Sequence, residues 1–278
     1  MRFFFSGFKG KPRVLSTPGS LLGYKKYLPG SQQIPYKIYD WVTFKYAARK
    51  ADAVIVSSKF EFQDAVEFGI DRAKIHIIPM GIDVEEISSK NADDDSPLEI
   101  LFVGRLARVR RVELLLQAVS RLSIPYRVTI VGGEEETASL SKTGYLNELE
   151  SLCGELGIRE QVTFTGAKTP GELKTYYQNA DVFVYPSLYE NFGQPVLEAA
   201  AAGLPIISTD VGVAREIVED GETGFIIDGS PAEIRGRLEE LNSRDSRTPF
   251  GEKIRKRVRR NYGWENVMQR YIEIYRSL

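Results

Sequence analysis

The chain holds one cysteine, Cys153, and one histidine, His76, in 278 residues. A single cysteine excludes an internal disulfide and a thiolate metal cluster. A single histidine excludes the common two- and three-histidine metal sites, and a Ser-His-Asp triad would have to use His76. No Gly-x-Ser-x-Gly nucleophile motif accompanies it. An excess of one charge is lacking too: Lys+Arg 37 against Asp+Glu 38 gives a net charge of -1. That balance excludes a global basic field for nucleic acid. No apolar run approaches the ~18 residues of a membrane span. The apolar run at Met1-Arg2-Phe3-Phe4-Phe5 is too short for a signal-peptide core, and Lys9 and Lys11 follow it, so a cytoplasmic location is expected. Repeats and low-complexity tracts are absent. The chemistry must rest on carboxylates, Arg/Lys and backbone amides.

What is present is an alternation of short apolar runs and amphipathic stretches, the pattern of an α/β protein with parallel strands. Val14 to Ser16, Ala53 to Val56 and Ile75 to Ile78 read as strands. Pro35 to Lys50 reads as a helix, and so does Phe60 to Phe68, which Gly69 stops. The polar stretch from Glu85 to Pro97 reads as a linker. Six further strands are expected, at Ile100 to Val103, Arg127 to Val131, Val162 to Thr165, Val182 to Val184, Pro205 to Ile207 and Phe225 to Ile227. Helices fall between them, and the tail is helical with a break at Tyr262-Gly263. The expected organisation is a partial first domain at 1–90, a complete doubly wound domain at 91–262 and a final helix at 263–278. Residues 1–90 offer only about three strands, with no glycine-rich turn before Val14. Either that domain is truncated, or a second copy or a partner chain completes it. Cys153 and His76 read as packed residues of a helix and a strand.

Three segments carry chemistry. Gly104-Arg105-Leu106, with Arg108, Arg110 and Arg111, follows a strand and precedes a helix. Such a turn either binds an anion or is a solvated basic turn. Ser187 to Glu198 contains Glu190, Asn191, Phe192, Gly193 and Gln194, with Pro195 suited to the first helical position. The amides around Phe192 and Gly193 would point outward there, and Gly193 would let a ligand approach closely. Glu198, read in the first helical turn, either binds a diol or stabilises the helix dipole. Trp264, Val267, Met268, Tyr271, Ile272 and Tyr275 recur at helical spacing as a packing stripe.

Together these segments resemble glycosyltransferase family 4, over about Pro12 to Leu278. The strongest match is Glu190 to Glu198, an E-x7-E element inside Tyr185-Pro186-Ser187 to Ala202-Gly203-Leu204-Pro205. Gly104-Arg105-Leu106, Asn179-Ala180-Asp181, Thr209-Asp210-Val211-Gly212 and Ile78-Pro79-Met80-Gly81-Ile82-Asp83 also match. The resemblance implies a GT-B fold of two Rossmann-like domains facing a cleft, with the front of the first domain missing. The C-terminal domain would hold a UDP-, GDP- or ADP-linked sugar as donor, and the last helix would cross back to the first domain. It implies retaining sugar transfer to a saccharide or lipid-linked acceptor, without an obligatory metal or cofactor. Carried over by position, Arg105 and Arg110 would bind the diphosphate beside Gly104, and Glu198 the ribose hydroxyls. Glu190 would contact the donor sugar, and the amides of Asn191, Phe192 and Gly193 the sugar and phosphate. Gly166 and Lys168 would border the base. The expected catalytic residues are Glu190, Arg105 and Arg110.

Three departures stand out. The family usually has Lys-Gly where this chain has Arg110-Arg111, and arginine at the glycine position would crowd the helix start. Thr17-Pro18-Gly19-Ser20 lacks the histidine common in that segment. The missing front of the first domain bears on turnover, so a donor-binding module that is inactive without a partner stays as the alternative. The Asp93-Asp94-Asp95 string reads as solvated linker, and Glu134-Glu135-Glu136 as a solvated turn. The basic helix Lys253 to Arg260 reads as a solvated face or as a contact for an anionic membrane surface.

Overall fold

The computed structural model describes residues 10–16, 33–34, 50–83, 96–134 and 144–278. The helix expected over Pro35 to Lys50 lies outside them apart from Lys50, and Thr17 to Ser20 and Asp93 to Asp95 lie outside entirely. The chain forms two compact units, residues 1–80 with 267–278, and residues 81–266.

In the first unit, β1 (Val14–Ser16), β2 (Ala53–Val56) and β3 (Ile75–Ile77) form a parallel sheet in that order. The central β2 reads Ala-Val-Ile-Val and is buried along its whole length, as a parallel strand covered on both faces must be. His76 sits half-buried on β3. Helix α1 (Lys59–Glu67) starts where the Ser58 side chain accepts from the Glu61 amide. Val267, Tyr271 and Ile274 of the final helix pack against Val14, Ile55 and Ile78.

The second unit contains β4 (Leu98–Val103), α2 (Val112–Val119), β5 (Tyr126–Val131), α3 (Tyr145–Glu155), β6 (Val162–Phe164) and α4 (Pro170–Asn179). It continues with β7 (Val182–Tyr185), α5 (Gln194–Ala201), β8 (Ile206–Thr209), α6 (Ala214–Ile217), β9 (Gly224–Ile227), α7 (Pro231–Glu240) and α8 (Arg244–Tyr262). Helix α9 (Trp264–Ser277) follows and carries the chain back into the first unit. The six strands are parallel, in the order β6-β5-β4-β7-β8-β9. The chain therefore runs outward from β4 in one direction and restarts on its other flank at β7. Ligands of doubly wound sheets bind at this reversal, beyond the carboxyl ends of the strands.

Local sequence explains the elements. Thr169 and Glu172 form a reciprocal capping box at α4, with Pro170 in its first turn. Phe102, Tyr185 and Phe183 stack with ring centroids 5.7 and 5.9 Å apart, joining β4 to β7. Cys153 is buried in α3, and burial pushes its thiol pKa up, as suits a packing residue. Two details of α5 differ from the sequence expectation. The helix opens at Gln194, so Pro195 is its second residue, and Glu198 is its fifth, beyond the first turn. Helix-dipole stabilisation at the amino end therefore does not account for Glu198, because that effect fades within one turn.

Helix α8 crosses the end of α5 where Gly251 meets Gly203, and a Cβ on Gly251 would overlap the Gly203 carbonyl oxygen. Alanine there gains up to ~1 kcal/mol of helix propensity but forces the helices apart. Gly251→Ala is expected to lower unfolding free energy by about 1–3 kcal/mol in urea denaturation, because overpacking outweighs propensity. An unchanged or raised midpoint would show that the crossing relaxes freely.

Candidate functional site

The loops beyond the carboxyl ends of the strands are knitted to one another. Gly104 donates its amide to Val131 O at 2.9 Å, Leu106 donates to Gly133 O at 2.9 Å, and Gly132 donates to Gly166 O at 3.0 Å. A Cβ on Gly132 would overlap the Gly104 carbonyl, so only glycine permits this approach. On the other flank, Leu188 donates its amide to Val109 O at 2.7 Å, and Val213 donates to Phe192 O at 2.5 Å. The Thr209 hydroxyl donates to Ser187 O at 2.5 Å. The turn after β4 and the loop after β7 thus lie side by side at the reversal.

The Arg110–Glu190 pair sits there. Arg110 ends a 3-10 turn (Arg108–Arg110) and is buried. Its Nη1 donates to Ser187 Oγ at 3.0 Å and Tyr189 O at 2.8 Å, and lies 2.7 Å from Glu190 Oε2. Its Nε is buried with no partner, and its guanidinium lies 5.6 Å from the Tyr185 ring centre. Burial works against the charge, but Tyr185 and Glu190 outweigh it, so the Arg110 pKa is raised. Glu190 also accepts from the Tyr185 hydroxyl at 2.7 Å and from the Asn191 amide at 3.0 Å. Burial, then Glu190, raise the Tyr185 pKa well above the ordinary phenol, while Arg110 and Arg105 pull the other way. Arg105 is exposed beside this cluster.

Glu190 is wedged between two glycines, since a Cβ on Gly193 or on Gly212 would stand 3.2 Å from its Cγ. Gly193 also has φ 87°, a left-handed conformation that turns the chain into α5. The amide of Asn191 is taken by Glu190, and the Asn191 side chain accepts from the Tyr189 hydroxyl. Phe192 and Gly193 are buried at the start of α5.

Glu198 stands apart from that pair. Its carboxylate accepts from the Tyr177 hydroxyl at 2.8 Å. Burial raises its pKa, opposed by hydrogen bonds from Tyr177 and Gln194. It lines a cavity of about 420 Å³ with Leu173, Lys174, Tyr177, Gln194 and Trp264, whose wall includes neither Arg110 nor Glu190. Gly166 (φ 71°) and Lys168 lie on the loop after β6, where the Gly166 carbonyl accepts from the Gly132 amide. The structure thus brings Gly104, Arg105, Arg110, Glu190, Asn191, Phe192 and Gly193 to one strand-end region, and places Glu198 on the far side of α5's first turn.

The family models match most of this chain: "Glycosyl transferases group 1" over residues 83–257 and "Glycosyltransferase Family 4" over residues 3–86. The chain belongs to the group 1 glycosyltransferases. A D-inositol 3-phosphate glycosyltransferase of Corynebacterium urealyticum is 36% identical over 250 residues, 82% of this chain and 57% of that protein. One of the same name from Xylanimonas cellulosilytica is 30% identical, over 81% of this chain and 57% of its own length. The chain thus spans little more than half of these relatives. Among solved structures, sucrose-phosphate synthase from Thermosynechococcus elongatus superposes with TM-score 0.78 at 27% identity, over 95% of this chain and 67% of that one. Anabaena HepE, solved with UDP and glucose, superposes with TM-score 0.80 at 18% identity, over 96% of this chain and 72% of that one. The fold of this glycosyltransferase is of the GT-B type.

Sequence reasoning missed the residues that hold the acids in place. Tyr185 and Tyr177 each donate a hydroxyl to one glutamate of the E-x7-E element, and Ser187 and Tyr189 hold Arg110. Tyr185 stands one residue past the strand expected at Val182 to Val184, and Tyr177 carried no signal beyond helical spacing. On the basic helix, Lys253 pairs with Glu222 at 3.3 Å, and Arg257 pairs with Glu219 and donates to Glu216 O at 3.0 Å. Among the described residues no group of three or more His, Cys, Asp or Glu could hold a metal, and no helix is long and apolar enough to cross a membrane.

Removing one partner of a buried ion pair strands the other. Arg110→Met is expected to destabilise the protein by about 3 kcal/mol or more, whereas Arg105→Met on the surface stays within about 0.5 kcal/mol. Arg110→Met with Glu190→Gln should recover part of the loss in a urea double-mutant cycle. Strict additivity would dissolve the pair as an energetic unit.

Proposed function

We propose that this chain binds a nucleoside-diphosphate sugar at the β4/β7 reversal and transfers the sugar, with retention, to a saccharide or lipid-linked acceptor. The observation that carries this reading is the Glu190 carboxylate, fixed by Arg110, Tyr185 and its neighbouring amide in a loop that lies beside the turn after β4. Three donors on one carboxylate remove its freedom to rotate, which suits orienting a sugar hydroxyl. Arg105, at the exposed turn after β4, meets the diphosphate. Arg110 supports it through the field of a charge kept on by its partners. In a front-face displacement the bond from the sugar's anomeric carbon to the diphosphate oxygen breaks as the acceptor oxygen bonds from the same side. The departing diphosphate takes the acceptor proton, and Arg105 stabilises its growing charge. A protein-bound metal is not required by this scheme. Glu198, with Tyr177 and Gln194, receives the ribose diol, and Gly166 and Lys168 border the base.

The first test is calorimetric titration of the purified chain with UDP, GDP and ADP and then with UDP-glucose, GDP-mannose and ADP-glucose. One nucleotide is expected to bind, weakened at least ~10-fold by Glu198→Ala or Arg105→Ala, since each leaves a ligand polar group without its partner. Failure of all three nucleotides to bind would refute the reading. D-inositol 3-phosphate, the compound in the relatives' names, is the first acceptor to assay. The alternative reading is a donor-binding module. Binding without nucleotide release in the presence of acceptor would select it. Lys256, Arg259 and Arg260, exposed on α8, are proposed as a contact for anionic lipid. Salt-insensitive partitioning to vesicles would count against that contact.

The raised pKa of Glu198 gives a pH dependence. The folded protein holds this proton to higher pH than the unfolded chain, so the group favours the fold at low pH. That contribution is lost as pH rises through the raised value. The diol needs the ionised form, so nucleotide affinity is expected to fall on acidification, with a midpoint above that of an ordinary glutamate. Glu198→Gln should flatten the profile, and an unchanged profile in that variant would assign the titration to another group.

A further inference from the structure

Among the described residues, Arg111 is the one non-glycine residue in the left-handed region, with φ 50° and ψ 43°. It caps the start of α2 without any side-chain capping bond, so capping does not explain the conformation. Its side chain instead reaches the loop after β7: Nε donates to Pro186 O at 2.8 Å and Nη2 to Ser187 O at 3.5 Å. The guanidinium lies flush on Gly229, where a Cβ would stand 2.8 Å from Nη2. Arg110, one residue earlier, holds Ser187 Oγ, Tyr189 O and Glu190 in the same loop. Two consecutive guanidiniums thus occupy acceptors along Pro186–Glu190, the segment that delivers Glu190 to the site.

We propose that Arg111 is a positioning residue for the donor sugar: it fixes the Pro186–Ser187 carbonyls and so sets where Glu190 stands relative to the Arg105 turn. The left-handed backbone is tolerated because it aims the guanidinium at those carbonyls. The proposal rests on the donor reading above. Glycine at this position would relieve the backbone and release the loop together. A planar guanidinium holds two acceptors at once, which a lysine ammonium does not reproduce.

The test separates nucleotide affinity from sugar affinity. Calorimetry on the full chain compares UDP with UDP-glucose, GDP with GDP-mannose and ADP with ADP-glucose, for wild type, Arg111→Gly, Arg111→Lys and Glu190→Ala. For Arg111→Gly, nucleotide Kd is expected to stay within about twofold of wild type. The gain in affinity from the attached sugar should shrink about 10-fold or more, as in Glu190→Ala. Thermal melting should be unchanged or raised in Arg111→Gly, because glycine accepts the left-handed conformation. Arg111→Lys should show the same sugar-selective loss in smaller measure, and it decides the matter if Arg111→Gly does not fold. An undiminished sugar gain in the folded variants overturns the positioning role. Equal losses for nucleotide and nucleotide sugar overturn it too, since they mark a purely structural residue. Wild type that binds no nucleotide refutes the donor reading itself, and the inference falls with it.

Discussion

A guanidinium withdrawn from water is costly unless its charge and its hydrogen-bond donors are met inside the protein. Arg110 is buried at the end of a short turn after β4; its Nε has no partner, yet Tyr185 and Glu190 outweigh the cost of burial and keep it charged. Glu190 supplies the counter-charge, Ser187 and Tyr189 supply neutral acceptors, and the Tyr185 ring covers one side. The same contacts lock Glu190. An acid held in one orientation and a cation that must survive burial therefore stabilise each other. The geometry of the site follows from that exchange.

The exchange is available only because of the strand order. With β4 central and β7 returning to its flank, the loops after these two strands become neighbours although about eighty residues separate them. The stacked Phe102, Tyr185 and Phe183 rings tie the strands together and deliver the Tyr185 hydroxyl to Glu190. Gly132, Gly193 and Gly212 allow the loops and the Glu190 side chain to approach as closely as they do. Packing, backbone permissiveness and electrostatics thus converge on one place at the sheet's carboxyl edge.

Most of the second unit was legible in the sequence. The buried runs Leu-Phe-Val at 101–103 and Val-Phe-Val at 182–184, each followed by a polar turn, announce parallel strands, and the structure has six in the expected order of appearance. The strand-end residues Arg105 and Glu190 were legible as a motif. Their partners were not, because a hydroxyl such as Tyr177 Oη meets Glu198 across twenty residues by helix packing rather than by spacing. Glu198 itself was assigned to a first turn because Pro195 suggested the helix start; the left-handed Gly193 moves that start to Gln194. Arg111 was expected to crowd the helix start. Its side chain instead turns away to the loop after β7, a long-range contact that no local pattern announces.

The proposed donor site puts a nucleotide against the strand-end loops around Arg105 and Glu190. Amide hydrogen exchange on the full chain, with and without UDP, GDP and ADP, tests it most directly. One nucleotide is expected to slow exchange in the segments 104–108 and 191–198, leaving the strands of the first unit unchanged. Protection confined to other segments, or no protection by any of the three, would contradict it.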